Sequence, residues 1–129
     1  MGFSPLCTYT RLSPNCTHPR NRPIDRLTPH VVVGQVTAER ICGLSRFVYY
    51  DGVNGASCNY GIGKDGSIGG CVDEADRSWC TSSRENDHRA ITFEIASDTK
   101  HPYGVTDAAY ASMLALMTDI CRRYGKTKL

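Results

Sequence analysis

A chain of 129 residues, 40% hydrophobic and 22% charged, is long enough for one compact domain with a buried core and leaves little room for a second. Its formal charge of +2 is too small for the concentrated basic surface of a nucleic-acid-binding protein, so no nucleic-acid partner is expected. No stretch approaches the roughly 18 apolar residues of a membrane span, and no membrane partner is expected either.

Residues 1–25 carry four of the six prolines and show no periodicity, which predicts an irregular N-terminal arm. Its first residues, Met1-Gly2-Phe3-Ser4-Pro5-Leu6-Cys7, have neither a basic region followed by an apolar one nor a myristoylation pattern. Cytoplasmic synthesis without a signal peptide is the expectation. The basic run from Arg20 to Arg26 reads as a solvated loop. The second unit, residues 26–129, opens with a β-branched strand, Arg26 to Val33, ended by Gly34. Pro29 donates no ladder hydrogen bond, so this strand either lies at an edge or begins its pairing at His30.

Thr37 predicts a helix start, with Ile41, Leu44 and Val48 at helical spacing behind it. Two short glycine-rich runs, 58–63 and 67–72, flank Lys64-Asp65-Gly66 and predict a tight hairpin. Residues 73–90 read as a polar loop around Trp79, in which Asp73, Glu74, Asp76 and Asp87 are expected to be solvated. Ala90 to Ala96 is a strand with Ile91, Phe93 and Ile95 on one face and Thr92 and Glu94 on the other. Thr106 caps a long helix with Ala109, Met113, Leu116 and Ile120 as its apolar stripe and Gly125 at its end. The order of elements predicts an α/β fold, a mixed β-sheet flanked by helices.

Seven cysteines, an odd number with no Cys-x-x-Cys pair, argue against a zinc finger. Most are expected to be reduced and buried, with one disulfide left open. His18, His88 and His101 fall in polar stretches and are expected to be exposed. His30 and Glu94 are different. A carboxylate within an apolar strand costs several kcal/mol to bury unless it is paired or faces a wet cleft. A histidine and a glutamate on the polar faces of two strands are the parts of a metal-hydrolase centre, one as ligand and one as base. The plainer readings are a core histidine with a single hydrogen bond, and a glutamate in an ion pair with Arg77 or Arg89. Tyr60, on the glycine-rich hairpin, either packs as an aromatic or presents its hydroxyl to a cleft.

The stretches Ile24–Gln35, Ser57–Gly69, Asp76–Trp79 and Asn86–Asp98, in this order and spacing, resemble the peptidoglycan-recognition-protein-like zinc amidases of the phage-endolysin and prophage type. The resemblance extends into the arm through Ser4-Pro5-Leu6 and Ser13-Pro14-Asn15, and so covers nearly the whole chain. It implies an N-acetylmuramoyl-L-alanine amidase acting on bacterial peptidoglycan after release to the cell wall. It implies zinc as the cofactor, His30 as first ligand, Glu94 as general base and Tyr60 as a donor that stabilises the tetrahedral intermediate. Trp79, Arg77 and Asn86 would line the substrate groove. In the resembled family a second and a third zinc ligand follow the long helix, on a further strand and its loop. This sequence ends at Leu129 without them, which predicts a C-terminally incomplete domain, weak zinc binding and little or no turnover. It also predicts self-association through an exposed sheet edge. The competing expectation is a non-catalytic module that binds peptidoglycan.

Overall fold

The computed structural model describes residues 2–32, 34–39, 41–42 and 56–125. Two short strands, β1 (Tyr9–Thr10) and β2 (Cys16–Thr17), lie within the arm that the sequence presented as irregular. They are followed by β3 (Arg26–Val32), β4 (Tyr60–Ile62), β5 (Ile68–Gly70), β6 (Arg77–Ser78), α1 (Arg84–Arg89), β7 (Ala90–Ala96) and α2 (Asp107–Arg123). Five strands form one sheet in the order β1-β5-β4-β7-β3, while β2 and β6 form a separate antiparallel pair. The sheet is mixed. β7 runs parallel to both β3 and β4, and β4 is antiparallel to β5.

β3 is the edge strand, paired from Arg26 onward, so Pro29 sits where the absence of an N–H is tolerated. β7 lies second from that edge and is buried throughout. Its alternation sends Ile91, Phe93 and Ile95 to one face, where Tyr60, Ile62 and Ile68 join them against Ala109, Leu116, Met117 and Ile120 of α2. Thr106 caps α2 by accepting the Ala109 N–H at 3.1 Å, and its own hydroxyl donates to the Lys64 carbonyl at 2.7 Å. Ser112 adds a 2.6 Å bond to the Gly66 carbonyl, so the helix is pinned to the hairpin turn at its first two turns. Gly66 itself, at φ +85°, makes that turn.

The opposite face carries a smaller apolar cluster of Ile41, Cys42, Cys58, Cys71 and Ala96. A helical turn holds Ile41, whose N–H donates to the Thr37 carbonyl at 3.1 Å; Leu44 and Val48 of the expected helix lie outside the described residues. Glycine makes the close approach on this face feasible. A Cβ at Gly61 would stand 2.5 Å from Ile41 Cγ2 and 2.9 Å from its Cβ. Gly61→Ala should therefore cost about 1–3 kcal/mol through overpacking, read as a lowered urea midpoint. An unchanged midpoint would mean that Ile41 moves aside freely.

One expected loop segment is a helix, and the disulfide left open is present. α1 was read as loop because its six residues, Arg84 to Arg89, carry no apolar period; it is held by Ser83, whose side chain accepts the Asn86 N–H. Cys42 and Cys71 are joined in a disulfide across 29 residues, whereas Cys7, Cys16, Cys58, Cys80 and Cys121 are not in disulfides.

Candidate active site

On the face of the sheet turned away from α2, the register places His30 of β3 directly beside Glu94 of β7, with Gly61 of β4 on the other side of Glu94. His30 Nδ1 lies 3.1 Å from both carboxylate oxygens of Glu94. An ionised carboxylate only accepts, so Nδ1 then carries the proton and Nε2 presents its lone pair. The imidazole is 65% exposed and the carboxylate 10%, so the pair stands at the boundary between sheet and solvent. Burial raises the Glu94 pKa above the ordinary carboxylate value, and the bonds from His30 and Cys80 offset only part of that.

Cys80 closes the other side of Glu94, its thiol donating to Oε1 at 3.3 Å. Its own backbone N–H donates to Asp87 Oδ2 at 3.1 Å, and Thr81 binds the same carboxylate through both its N–H and its hydroxyl. Two residues before Glu94, Thr92 is clamped. Its N–H and hydroxyl donate to Asn59 Oδ1 at 3.0 and 3.1 Å, and its oxygen accepts the Asn59 N–H at 3.1 Å. Ser78 meets the Thr92 hydroxyl at 2.6 Å. The Asn59 amide completes the set by donating to the carbonyls of Val72 and Asp73. β7 is thus fixed in register immediately ahead of its glutamate, by residues that sequence reading passed over.

The chain matches the N-acetylmuramoyl-L-alanine amidase family Amidase_2 over residues 20–129. It belongs to that family. Among solved structures it is similar to an AmpD derivative, at a TM-score of 0.70 and 20% identity over 96% of this chain and 78% of that one. It is also similar to the endolysin N-acetylmuramoyl-L-alanine amidase LysCS from Clostridium intestinale URNW, at a TM-score of 0.65 and 18% identity, covering 95% and 80% of the two chains. Drosophila peptidoglycan recognition protein SA gives a TM-score of 0.67 at 15% identity, over 95% of this chain and 77% of that one. These likenesses show the fold. No curated protein matches the chain.

Tyr60 cannot take the role that the resemblance gave it. Its register partner is Phe93, with which it stacks at 6.0 Å, so its ring lies on the α2 face and its hydroxyl donates to Glu74. The sheet separates it from Glu94. Trp79 and Arg77 converge on Thr17, whose hydroxyl oxygen accepts from Trp79 Nε1 at 3.1 Å and from Arg77 at 2.9 and 3.2 Å. Asn86 accepts from Arg26 and donates to Thr28, two residues before His30 on the same face of β3. Neither Arg77 nor Arg89 pairs with Glu94: Arg89 is taken by Asp25 and Glu85.

Several groups expected in solvent are buried. Glu74 is 0% exposed, Asp87 3% and His88 7%. His88 accepts the Asn21 N–H on Nδ1 at 3.0 Å; burial, then the arginines around it, lower its pKa.

Amidase_2 membership implies zinc. Among the described residues no three His, Cys, Asp or Glu side chains converge to hold a metal ion. His30 supplies one imidazole, and zinc centres use three or four protein ligands. The described residues do not by themselves fit that centre.

Proposed function

We propose that this domain acts on bacterial peptidoglycan at the amide joining N-acetylmuramic acid to the L-alanine of the stem peptide. The single observation that carries the reading is the His30–Glu94 pair, side by side on β3 and β7 at a half-open face. Membership of the amidase family supports the substrate. In this reading Glu94 is the general base. It takes a proton from the attacking water and returns it to the amine nitrogen as the carbon–nitrogen bond breaks. Its raised pKa suits the task, because a base works best when its pKa lies near the working pH. His30 orients the carboxylate through Nδ1 and is the first candidate metal ligand. In this reading Trp79 and Arg77 contact the substrate from the β2–β6 side and Asn86 from the β3 side, where it donates to Thr28.

Among the described residues one imidazole is too few for zinc-dependent hydrolysis, so on those residues alone weak or absent turnover is expected. The same observation favours a second reading, a module that binds peptidoglycan without cutting it. One experiment separates the two. Purified protein with added Zn²⁺ is incubated with sacculi, new L-alanine N-termini are quantified, and pelleting with insoluble wall is measured with and without chelator. Chelator-sensitive release that falls about 10²–10⁴-fold in Glu94→Gln supports the hydrolase. Chelator-insensitive pelleting without release supports the binding module. Release indifferent to Glu94→Gln would remove the general base, and neither pelleting nor release would remove both readings.

A further inference from the structure

Three cysteine sulfurs lie together on the glycine-lined face of the sheet, the face that also carries Glu94, where Cys80 packs against the same cluster. The Cys42–Cys71 disulfide fastens the helical turn that carries Ile41 and Cys42 to the end of β5. That turn lies flat on the sheet: a Cβ at Gly69 would come within 2.6 Å of Cys42 Sγ. Cys58, just ahead of β4, points its thiol at the same bond and donates to Cys71 Sγ at 3.9 Å. All three are sealed from solvent, with Cys42 1% exposed and Cys58 and Cys71 0%. A thiol therefore already touches a disulfide that bulk thiols reach poorly.

We propose that Cys71 has two disulfide partners, and that exchange within this buried trio moves the bond from Cys42–Cys71 to Cys58–Cys71. The step balances without an external oxidant or reductant. Cys58 loses its proton and its sulfur attacks Cys71 Sγ; the Cys58–Cys71 bond forms as Cys42–Cys71 breaks, and the departing Cys42 sulfur takes up the proton. Two electrons stay in the disulfide throughout. The Cys58 and Cys71 sulfurs stand 3.9 Å apart, against about 2.05 Å in an S–S bond.

Loop length sets no direction for the equilibrium in the folded protein. The two disulfides span 29 and 13 residues; the longer loop is the harder to close in the unfolded chain and stabilises the folded state by the same factor, so the two contributions cancel. The exchange changes what is fastened. In one form the turn bearing Ile41 is tied down over Gly61, the β4 register partner of Glu94; in the other the bond lies across the ends of the β4–β5 hairpin and the turn is released. The device is a redox-neutral latch beside the strand that carries Glu94. It stands whether or not the domain hydrolyses peptidoglycan.

Peptide mapping tests it. Trypsin cleavage after Arg40, Arg46, Lys64 and Arg77 places Cys42, Cys58 and Cys71 on three separate peptides. The full chain is equilibrated in a glutathione redox buffer without denaturant, quenched in acid, alkylated with N-ethylmaleimide, digested without reduction and analysed by mass spectrometry. The expected result is two linked pairs, Cys42–Cys71 and Cys58–Cys71. Cys58→Ser should leave only the first, and Cys42→Ser should form the second in the same buffer. Wild-type protein that yields Cys42–Cys71 alone overturns the proposal, however the variants fold.

Discussion

Arg123→Ala should lower the stability of the domain by about 3 kcal/mol at neutral pH, because it leaves the Glu74 carboxylate buried without its charge partner. Glu74 is 0% exposed, and Arg123 grips it with two donors, at 2.9 Å to Oε1 and 2.7 Å to Oε2. Tyr124 donates at 2.6 Å and Tyr60 from the other side, while Tyr60 also accepts the Ser4 N–H at 2.7 Å. The cluster thus ties the arm, the sheet and the end of α2 together. For a domain of this size the loss corresponds to a Tm lower by on the order of 10 °C.

The pH dependence of that loss is fixed in sign. Burial pushes the Glu74 pKa up, but the bonds from Arg123, Tyr124 and Tyr60 outweigh it, so the folded value lies below the ordinary one. A carboxylate with a depressed folded pKa stabilises above its unfolded value, about 4.3, and that contribution disappears as pH falls through the folded value. The gap between wild type and Arg123→Ala should therefore be full at pH 7 and shrink in acid. Urea unfolding at a series of pH values measures it. Arg123→Lys, which keeps the charge but not the two-pronged grip, should fall between. A loss below about 1 kcal/mol at pH 7 would mean that the tyrosines alone satisfy the carboxylate.

What the sequence disclosed and what it hid follow one rule. A residue out of character with its local pattern was legible, and a residue whose partners lie far along the chain was not. His30 and Glu94 stood out as polar side chains on otherwise apolar strands, and the register brings them together. α2 was legible from its 3.6-residue period and the Thr106 cap, and the hairpin from Asp65-Gly66. Tyr60 was misplaced for want of one fact, that it pairs with Phe93 rather than Glu94, which sets the parity of β4. A one-residue shift in register reverses the face of every side chain on a strand. Glu74 looks like any loop acid, since Arg123 and Tyr124 lie 49 and 50 residues away. Asn59, Ser78 and Thr92 are ordinary polar residues until three chain segments meet.

Arg20 is the strongest case of a hidden role, and Arg20→Ala should cost about 3 kcal/mol although the residue belongs to a run that reads as a solvated loop. Its guanidinium donates to five carbonyls: Glu74 at 2.8 Å through Nε, Asp76 at 2.7 Å, and Asp87, His88 and Ala90 at 3.2, 2.9 and 3.0 Å. Three of these lie where α1 ends and passes into β7, a place where carbonyls lack helix partners and a cation is favoured. Burial lowers the Arg20 pKa, and the acids around it act the other way, yet arginine stays charged at any working pH. Truncation removes one donor set and orphans acceptors in two segments at once. α1 should then fray from its C-terminus, and with it the Asp87 carboxylate that fixes Cys80 and Thr81 beside Glu94. Hydrogen exchange should accordingly accelerate in α1 and at Cys80 and Thr81 more than in α2. Lysine cannot point donors in five directions, so Arg20→Lys should recover only a minor part of the loss. Uniform exchange across α1 and α2, or full recovery by lysine, would mean that the five bonds are replaced by water and that the strand pairings of the arm suffice to hold it.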